Sequence, residues 1–390
     1  MSTPARRIVT SYCFPPYSDT AAIVAAKRVH DRGEPVDVVC NAMDSIRHQD
    51  AGLVQLTGGL VRRFAAVPSR TAFSSWASIV DYQRLGIETF QRWEALQGEY
   101  ESVYSRAQFA ASHFLAVEVK LARPGIHWDA EFSDPLSHDV LGGVRAAPAT
   151  DDRVLGRLRA AVEAAGFRAP EGLNAFEWCE VIAFALADSV MFTNEHQRDF
   201  MLEHCHDPRL AERAERVGVV SPHPTPATRF YESRPSTYEL DPNRRHVGYF
   251  GNFYANRGVT GVLDALEVAP RAVRERVLLH VFTSKPEELH DVVVGRGLGD
   301  CVRVGPFVGY LEFLSLAQRM DCLLVNDAVS PAGAQNPFLP SKWSDYRGSG
   351  TPVWGVVEEG SALDAQPLDH RSPIEHASAA VQVLSRISRS

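Results

Sequence analysis

The chain lacks most of what would make it a metalloprotein, a redox protein or a nucleic-acid binder. Its six cysteines, at 13, 40, 179, 205, 301 and 322, include no pair at the C-x-x-C spacing, so neither a zinc ribbon nor a redox dithiol is expected and they read as reduced cytosolic thiols. Cys205 stands in EHCHDP between His204 and His206, but adjacent residues rarely supply two ligands to one ion and no further ligands accompany them. No metal is expected. The formal net charge of −8 provides no basic face of the kind that binds phosphate backbones, which excludes nucleic acid as a partner. Short basic clusters such as Arg62 with Arg63 read as a solvated helix edge. No segment has the apolar length of a membrane span. The opening MSTPARRIVTSYCF has neither the sustained apolar region nor the small-residue cleavage site of a secretory signal. The expected location is the cytoplasm.

What is present is a globular composition. Hydrophobic residues make up 45% and charged residues 23% of 390, with no low-complexity run, so the chain can bury its apolar surface. Its length exceeds one ordinary core and favours two domains of roughly 150 to 200 residues each.

Both halves share one rhythm. The first opens with the strand RIVTSYCF, the turn PPYSDT, the helix AAIVAAKRVHDRG and the strand PVDVVC. YESVYSRA, the helix FAASHFLAVEVKLA, the strand GIHWDAEF, the helix AFEWCEVIAFALA and the strand DSVMFTN continue the alternation. After the proline-rich linker VVSPHPTPATRFYESRPSTYELDPNRR the pattern restarts with HVGYFGN, a helix from Val259 and VLLHVFTS. CVRV, YLEFLSLAQRM, DCLLVND and PVWGVV follow. Alternating strands and helices imply parallel sheets covered on both faces. The fold class is therefore α/β, with two doubly wound Rossmann-like domains, 1–222 and 223–390, facing across a cleft, and a C-terminal helix able to pack back on the first. Chemistry is expected in the loops after the strands, at the topological switch points.

Two such loops stand out. In GNFYANRG a strand runs into Gly251 and Asn252, where glycine permits close backbone approach, and a helix begins near Arg257 and Gly258. Helix N-termini offer unpaired amides to an anion, and Arg257 would add a bidentate clamp, unless this is a tight turn with a solvated arginine. In NPFLPSKWSDYRGSGTPVWG, Pro337 and Pro340 fix an extended approach. Ser341 can then cap a helix whose first turn presents Lys342 beside free amides, where a diphosphate would sit. Asp345, three residues on, can accept from a sugar diol or complete a capping box with Ser341. The absence of G-x-G-x-x-G with its downstream acid and of G-x-x-x-x-G-K-[ST] disfavours a dinucleotide oxidoreductase and a P-loop enzyme.

The ordered set FPPYSDTAA, ASHFL, HWDAEFSDP, ADSVMFTN, YFGNFYANRG and LPSKWSDYRGSGTPVWG resembles retaining GT-B glycosyltransferases of the family 4 type over nearly the whole chain. The resemblance implies that Arg257 and Lys342 hold the diphosphate of a nucleotide-sugar donor, that Asp345 contacts its ribose, and that Phe338 and Leu339 lie against it. Gly251, Asn252 and Ser341 belong to the same donor site. There are departures. Many members carry arginine where this chain has Asn252. They carry two glutamates separated by seven residues where it has Pro337 and Asp345, which leaves Asn336 or Asp327 to substitute. Ser18, Asp19 and Thr20 replace a glycine pair and suggest a side-chain contact to acceptor or diphosphate.

In the first half, His113 is the candidate catalytic histidine of the cleft, against a structural role. His127, at a strand start, is more readily packing, and Asp134 either caps the next turn or touches the acceptor. Base recognition falls to Phe307 and Val308 with Thr283 or Ser284. The implied reaction is transfer of a sugar from a UDP- or GDP-sugar to a glycan, lipid-linked or natural-product acceptor, as in cell-envelope polysaccharide biosynthesis. It would retain anomeric configuration by front-face attack and need no metal or resident cofactor. The cations and helix amides would stabilise the leaving diphosphate. Peripheral membrane association is compatible with it. A nucleotide-sugar epimerase on the same fold and a non-catalytic nucleotide-sugar binder are the alternatives.

Overall fold

The computed structural model describes residues 4–139, 142–252, 258–330 and 335–390. It divides into two compact units, Met1–Pro224 and Thr225–Ser390, the division falling within the proline-rich stretch.

The first unit contains strands β1 (Arg7–Thr10), β2 (Val36–Asn41), β3 (Val61–Val67), β4 (Ser102–Ala107), β5 (His127–Phe132), β6 (Ser189–Phe192) and β7 (Gly218–Val220). Its helices are α1 (Thr20–Arg32), α2 (Trp76–Gln97), α3 (Ala111–Ala122), α4 (Arg153–Ala164), α5 (Ala175–Leu186), α6 (Glu195–Glu203) and α7 (Pro208–Arg216). The strands form one parallel sheet in the order β3-β2-β1-β4-β5-β6-β7. VDVVCN of β2 and SVYSRA of β4 are buried at every residue, as central strands covered on both faces must be. At the edge, β3 alternates exposed and half-buried residues until Val67. Arg62 and Arg63 lie on this strand rather than on a helix, and charge on an edge discourages pairing with another chain. Asp19 caps α1 and Gly33, with φ 68°, ends it in the left-handed region.

The second unit repeats the winding with β8 (Arg245–Phe250), β9 (Val277–Thr283), β10 (Val302–Pro306), β11 (Cys322–Asn326), β12 (Val353–Val357) and β13 (His370–Pro373). Its helices are α8 (Thr228–Glu232), α9 (Thr260–Val268), α10 (Arg271–Arg276), α11 (Pro286–Gly295), α12 (Tyr310–Gln318), α13 (Lys342–Ser349) and α14 (Ala377–Ile387). The sheet is parallel in the order β10-β9-β8-β11-β12-β13. Its strand order therefore reverses between β8 and β11. Val247, Tyr249, Val281, Leu324 and Trp354 from the strands share a core with Val262 and Leu266 of α9. Val383 and Leu384 of the terminal helix α14 enter this same core, and α14 lies along α9 and β13. Within the stretch read as linker, Phe230 and Tyr231 of α8 are 4% and 0% exposed. Among the described residues no helix is long and apolar enough to cross a membrane.

Candidate active site

At the switch point of the second sheet, β8 and β11 diverge and their following loops meet. Asn326, the last residue of β11, donates from Nδ2 to the Gly258 carbonyl over 2.8 Å and so joins the two loops. The Gly251 amide continues the ladder to the Phe282 carbonyl at 2.9 Å. Asn252 Oδ1 accepts from the Ser284 amide at 3.1 Å, tying the loop after β8 to the loop after β9. The side chain that stands where arginine was expected thus holds the backbone of this edge in place.

Lys342, at the start of α13, reaches this edge of the sheet. Its Nζ lies 4.2 Å from the centroid of the Tyr249 ring, within cation–π range, and the Tyr249 hydroxyl donates to the Asn252 carbonyl at 3.3 Å. A Cβ built on Gly251 would overlap the Lys342 ammonium. The close approach that glycine allows here is therefore that of a lysine side chain. Gly251, Asn252 and Lys342 come together, whereas Arg257 lies outside the described residues.

The remaining details of α13 differ from expectation. Ser341 has helical φ −58° and ψ −29° and makes no side-chain cap. The chain turns into α13 through tight i to i+3 bonds, the Trp343 amide closing on the Pro340 carbonyl at 3.0 Å and the Ser344 amide on the Ser341 carbonyl at 3.2 Å. Two amides expected to face a ligand are thereby turned inward. Asp345 is 8% exposed. Its Oδ1 accepts from the Tyr310 hydroxyl at 2.7 Å, and its carbonyl accepts from the Tyr231 hydroxyl at 2.6 Å. Burial, reinforced by the Asp345 carboxylate, pushes the Tyr310 phenol well above its usual range. The next residue, Tyr346, accepts from the Phe250 amide at 3.2 Å. Instead of completing a capping box or facing outward to a diol, this acidic turn anchors α13 to α8, α12 and β8.

Neither residue considered as a substitute acid is open. Asn336 donates to the Ala328 carbonyl and accepts from the Phe338 amide, both at 3.0 Å. Asp327 Oδ2 accepts from the Glu358 amide at 3.0 Å and from Ser361 Oγ at 2.5 Å. Phe338 is buried and Leu339 half-buried in the loop before α13. Thr283 is buried at the end of β9 opposite Pro306. Phe307 is 47% exposed in the loop after β10, and Val308 beside it is half-buried.

In the first unit the structure places the candidate cleft histidine in the core. His113 is fully buried, edge-on to Trp128 and Phe132 at 5.9 and 4.7 Å between ring centroids, with Nδ1 2.8 Å from Ser105 Oγ. Burial pushes its pKa down to about 3, which leaves a neutral core imidazole and no general base for a cleft. His127 starts β5, at the sheet edge opposite the carboxyl ends, with Nε2 3.1 Å from Asp129 Oδ1. Asp129 Oδ2 also receives Arg7 and Arg32 at 2.9 and 2.8 Å. Asp19 accepts from the Ala21 amide at 2.8 Å and pairs with Arg47 Nε at 2.6 Å. Helix capping and this ion pair account for its carboxylate. The Ser18 amide donates to the His48 carbonyl at 2.8 Å, and Ser18 and Thr20 are exposed. Asp134 is half-buried in the loop after β5. His204 Nδ1 and His206 Nε2 each lie 2.8 Å from a backbone carbonyl, of Phe200 and Arg168. Among the described residues no three His, Cys, Asp or Glu side chains converge on a common metal position.

Sequence reading missed a buried charge cluster near the carboxyl ends of β4 and β5. Glu131 receives Arg28 Nε at 2.9 Å, the Tyr104 hydroxyl at 2.8 Å and Arg106 Nε at 3.4 Å. Burial alone would raise its pKa, but Arg28 and Arg106 prevail and hold it at about 2. Arg106 Nη2 reaches His223 Nε2 at 3.3 Å, and Arg28 Nη2 donates to the Ser221 and Pro222 carbonyls at 3.3 and 3.2 Å. These bonds fix the last residues of the first unit.

No protein-family model and no curated protein matches the chain. Solved structures do resemble it. Sucrose-phosphate synthase from Thermosynechococcus elongatus superposes with a TM-score of 0.58 at 14% identity, over 98% of this chain and 89% of that one. HepE of Anabaena, in complex with UDP-glucose, gives 0.53 at 15% identity over 98% and 94%. A UDP-N-acetylglucosamine 2-epimerase gives 0.53 at 11% identity over 98% and 87%. At such identities the likeness concerns architecture, and it agrees with the two parallel sheets and interleaved helices described above: the chain has the GT-B fold.

Proposed function

We propose that the chain is a glycosyltransferase taking its sugar from a nucleotide-diphosphate donor, bound at the crevice between β8 and β11. The observation that carries this reading is the placement of the Lys342 ammonium against Gly251 and the Tyr249 ring at the switch point. Open α/β sheets bind ligands there, and a fixed cation stabilises the charge that grows on a leaving diphosphate. Arg257 is the second cation of the proposal, from the motif it occupies. The site uses a nucleotide sugar as co-substrate and needs no resident cofactor. Transfer proceeds with retention, by front-face attack in which a phosphate oxygen of the leaving group takes the acceptor's proton. Acceptors are glycans, lipid-linked sugars or natural products in the cytoplasm or at the inner membrane face. Support for a UDP-sugar comes from HepE, solved with UDP-glucose.

A second reading, epimerisation of the nucleotide sugar, has support from the likeness to the 2-epimerase. The deciding experiment is a thermal-shift series with UDP, GDP, ADP and their sugars on wild type and Lys342→Ala, followed by incubation with the stabilising sugar nucleotide. Binding lost in the variant, with turnover only when an acceptor is added, supports transfer. Conversion without acceptor supports the epimerase, and binding without turnover over a broad acceptor panel leaves a non-catalytic binder. If Lys342→Ala binds as wild type does, the site assignment is wrong.

A further inference from the structure

Among the described residues, two acceptor atoms at the carboxyl edge of the second sheet are buried with no donor. Asn326 is 4% exposed. Its Nδ2 is held by the Gly258 carbonyl, which leaves Oδ1 on the other side of the amide without a partner. Glu358, the first residue beyond β12, takes the Ser330 amide on Oε1 at 3.0 Å, while its buried Oε2 has no donor. The two residues end adjacent parallel strands, Asn326 pairing in register with Val356. Buried acceptors of this kind are rare in native structures and ask for an explanation.

The chemistry of the two atoms restricts what can satisfy them. Both offer lone pairs only, so an organic occupant must bring donors. The diphosphate of a nucleotide sugar, fully ionised at neutral pH, brings none, and a nucleobase edge brings one or two in fixed directions. A sugar ring brings several hydroxyls, each able to rotate its hydrogen toward an acceptor. Glu358 is braced for this from two sides, by the Ser330 amide on its carboxylate and by Asp327 Oδ2 on its own amide at 3.0 Å. We propose that Glu358 Oε2 and Asn326 Oδ1 bind hydroxyl groups of the transferred sugar, making Glu358 a determinant of which sugar the donor carries. The inference rests on the crevice being the donor site.

The test is calorimetric binding of paired ligands, UDP-glucose against UDP and GDP-mannose against GDP, to wild type and Glu358→Gln. In the variant the one remaining carbonyl oxygen is claimed by the Ser330 amide, and an amino group replaces Oε2. For the pair that wild type binds, the sugar nucleotide should weaken about tenfold, the loss of one hydrogen bond to a charged group, while the bare nucleotide stays within about twofold. Unchanged binding of the bare nucleotide also shows that the variant folds. Should the variant melt low, Glu358→Asp, which keeps the charge and withdraws the oxygens by one methylene, is measured in the same way. Equal weakening of both ligands, or of neither, overturns the role of Glu358 and leaves the donor site standing. Failure of every nucleotide to bind wild type overturns the donor site and this inference with it.

Discussion

The Lys342 ammonium rests 4.2 Å from the centre of the Tyr249 ring, at a point where Gly251 carries no side chain to displace it. A side chain at position 251 would therefore act on the cation itself. Gly251→Ala should push Lys342 out of the crevice and weaken nucleotide binding by about tenfold, approaching Lys342→Ala, because a charge-assisted contact is lost. Tyr249→Phe keeps the ring under the ammonium and removes the hydroxyl that donates to the Asn252 carbonyl at 3.3 Å. It should bind within about threefold of wild type, the loss of one neutral hydrogen bond being modest. Calorimetry on the three variants checks the order, and an alanine variant that binds as wild type does would refute it.

Asp345 is a test of structure against ligand binding. Its buried carboxylate holds the Tyr310 hydroxyl, so Asp345→Ala should lower stability by about 1–3 kcal/mol, the penalty for a buried hydroxyl left without its acceptor. Tyr310→Phe should destabilise as well, and the double variant by less than the sum, since both remove the same bond. Urea denaturation without nucleotide measures this. A residue whose role is confined to holding ribose would leave ligand-free stability unchanged and show no coupling with Tyr310.

How much of this was legible in the sequence follows from what each feature depends on. Central strands were readable because burial on both faces demands near-continuous apolar runs, as in the LLHVF of β9 and CLLV of β11. The edge strands β3 and β13 were not. VRRFAAV of β3 is half-exposed, and HRSP of β13 contains no large apolar residue and becomes a strand only by pairing with β12. Gly251 and Lys342 could be found because each marks a strand exit or a helix start. Tyr249 sits inside a strand, and its meaning comes from what folding lays over it. Glu358 was passed over in VVEEG, since nothing in one dimension tells which carboxylate oxygen will end without a donor. His113 was misjudged although a signal existed: ASHFLAVEV of α3 is buried at every residue, and a helix apolar on all sides belongs to a core.

The buried histidines set an acid limit on stability. His113 and His280 are both held at about 3, chiefly by burial, against about 6.5 in an unfolded chain. His280 sits in a relay, with Nδ1 2.9 Å from the Tyr238 hydroxyl and Nε2 2.8 Å from His246 Nδ1. Between pH 6.5 and 3 the unfolded chain takes up protons that the folded one refuses. Stability is therefore retained above pH 6.5 and falls as pH drops toward 3, by about 1.4 kcal/mol per pH unit for each histidine once it is protonated in the unfolded chain. Denaturation midpoints at pH 7, 6 and 5 should decline, and His113→Phe should flatten the decline. Equal slopes in the variant and wild type would show that His113 does not contribute.

The Glu131 cluster makes the sharpest prediction for the first unit. Glu131 is 0% exposed, while Arg28 and Arg106 beside it are 5% and 2% exposed. Glu131→Gln keeps the size of the side chain but removes the countercharge of two guanidinium groups that cannot reach water. Breaking a buried pair from one side leaves an uncompensated charge and should lower stability by about 3–5 kcal/mol. Arg28 also holds the Ser221 and Pro222 carbonyls, and Arg106 holds His223, so the stretch before Thr225 should loosen as well. Faster amide exchange at Ser221 and His223 together with a lower urea midpoint is the expected result. An unfolding free energy within about 0.5 kcal/mol of wild type would place this cluster with ordinary surface charge.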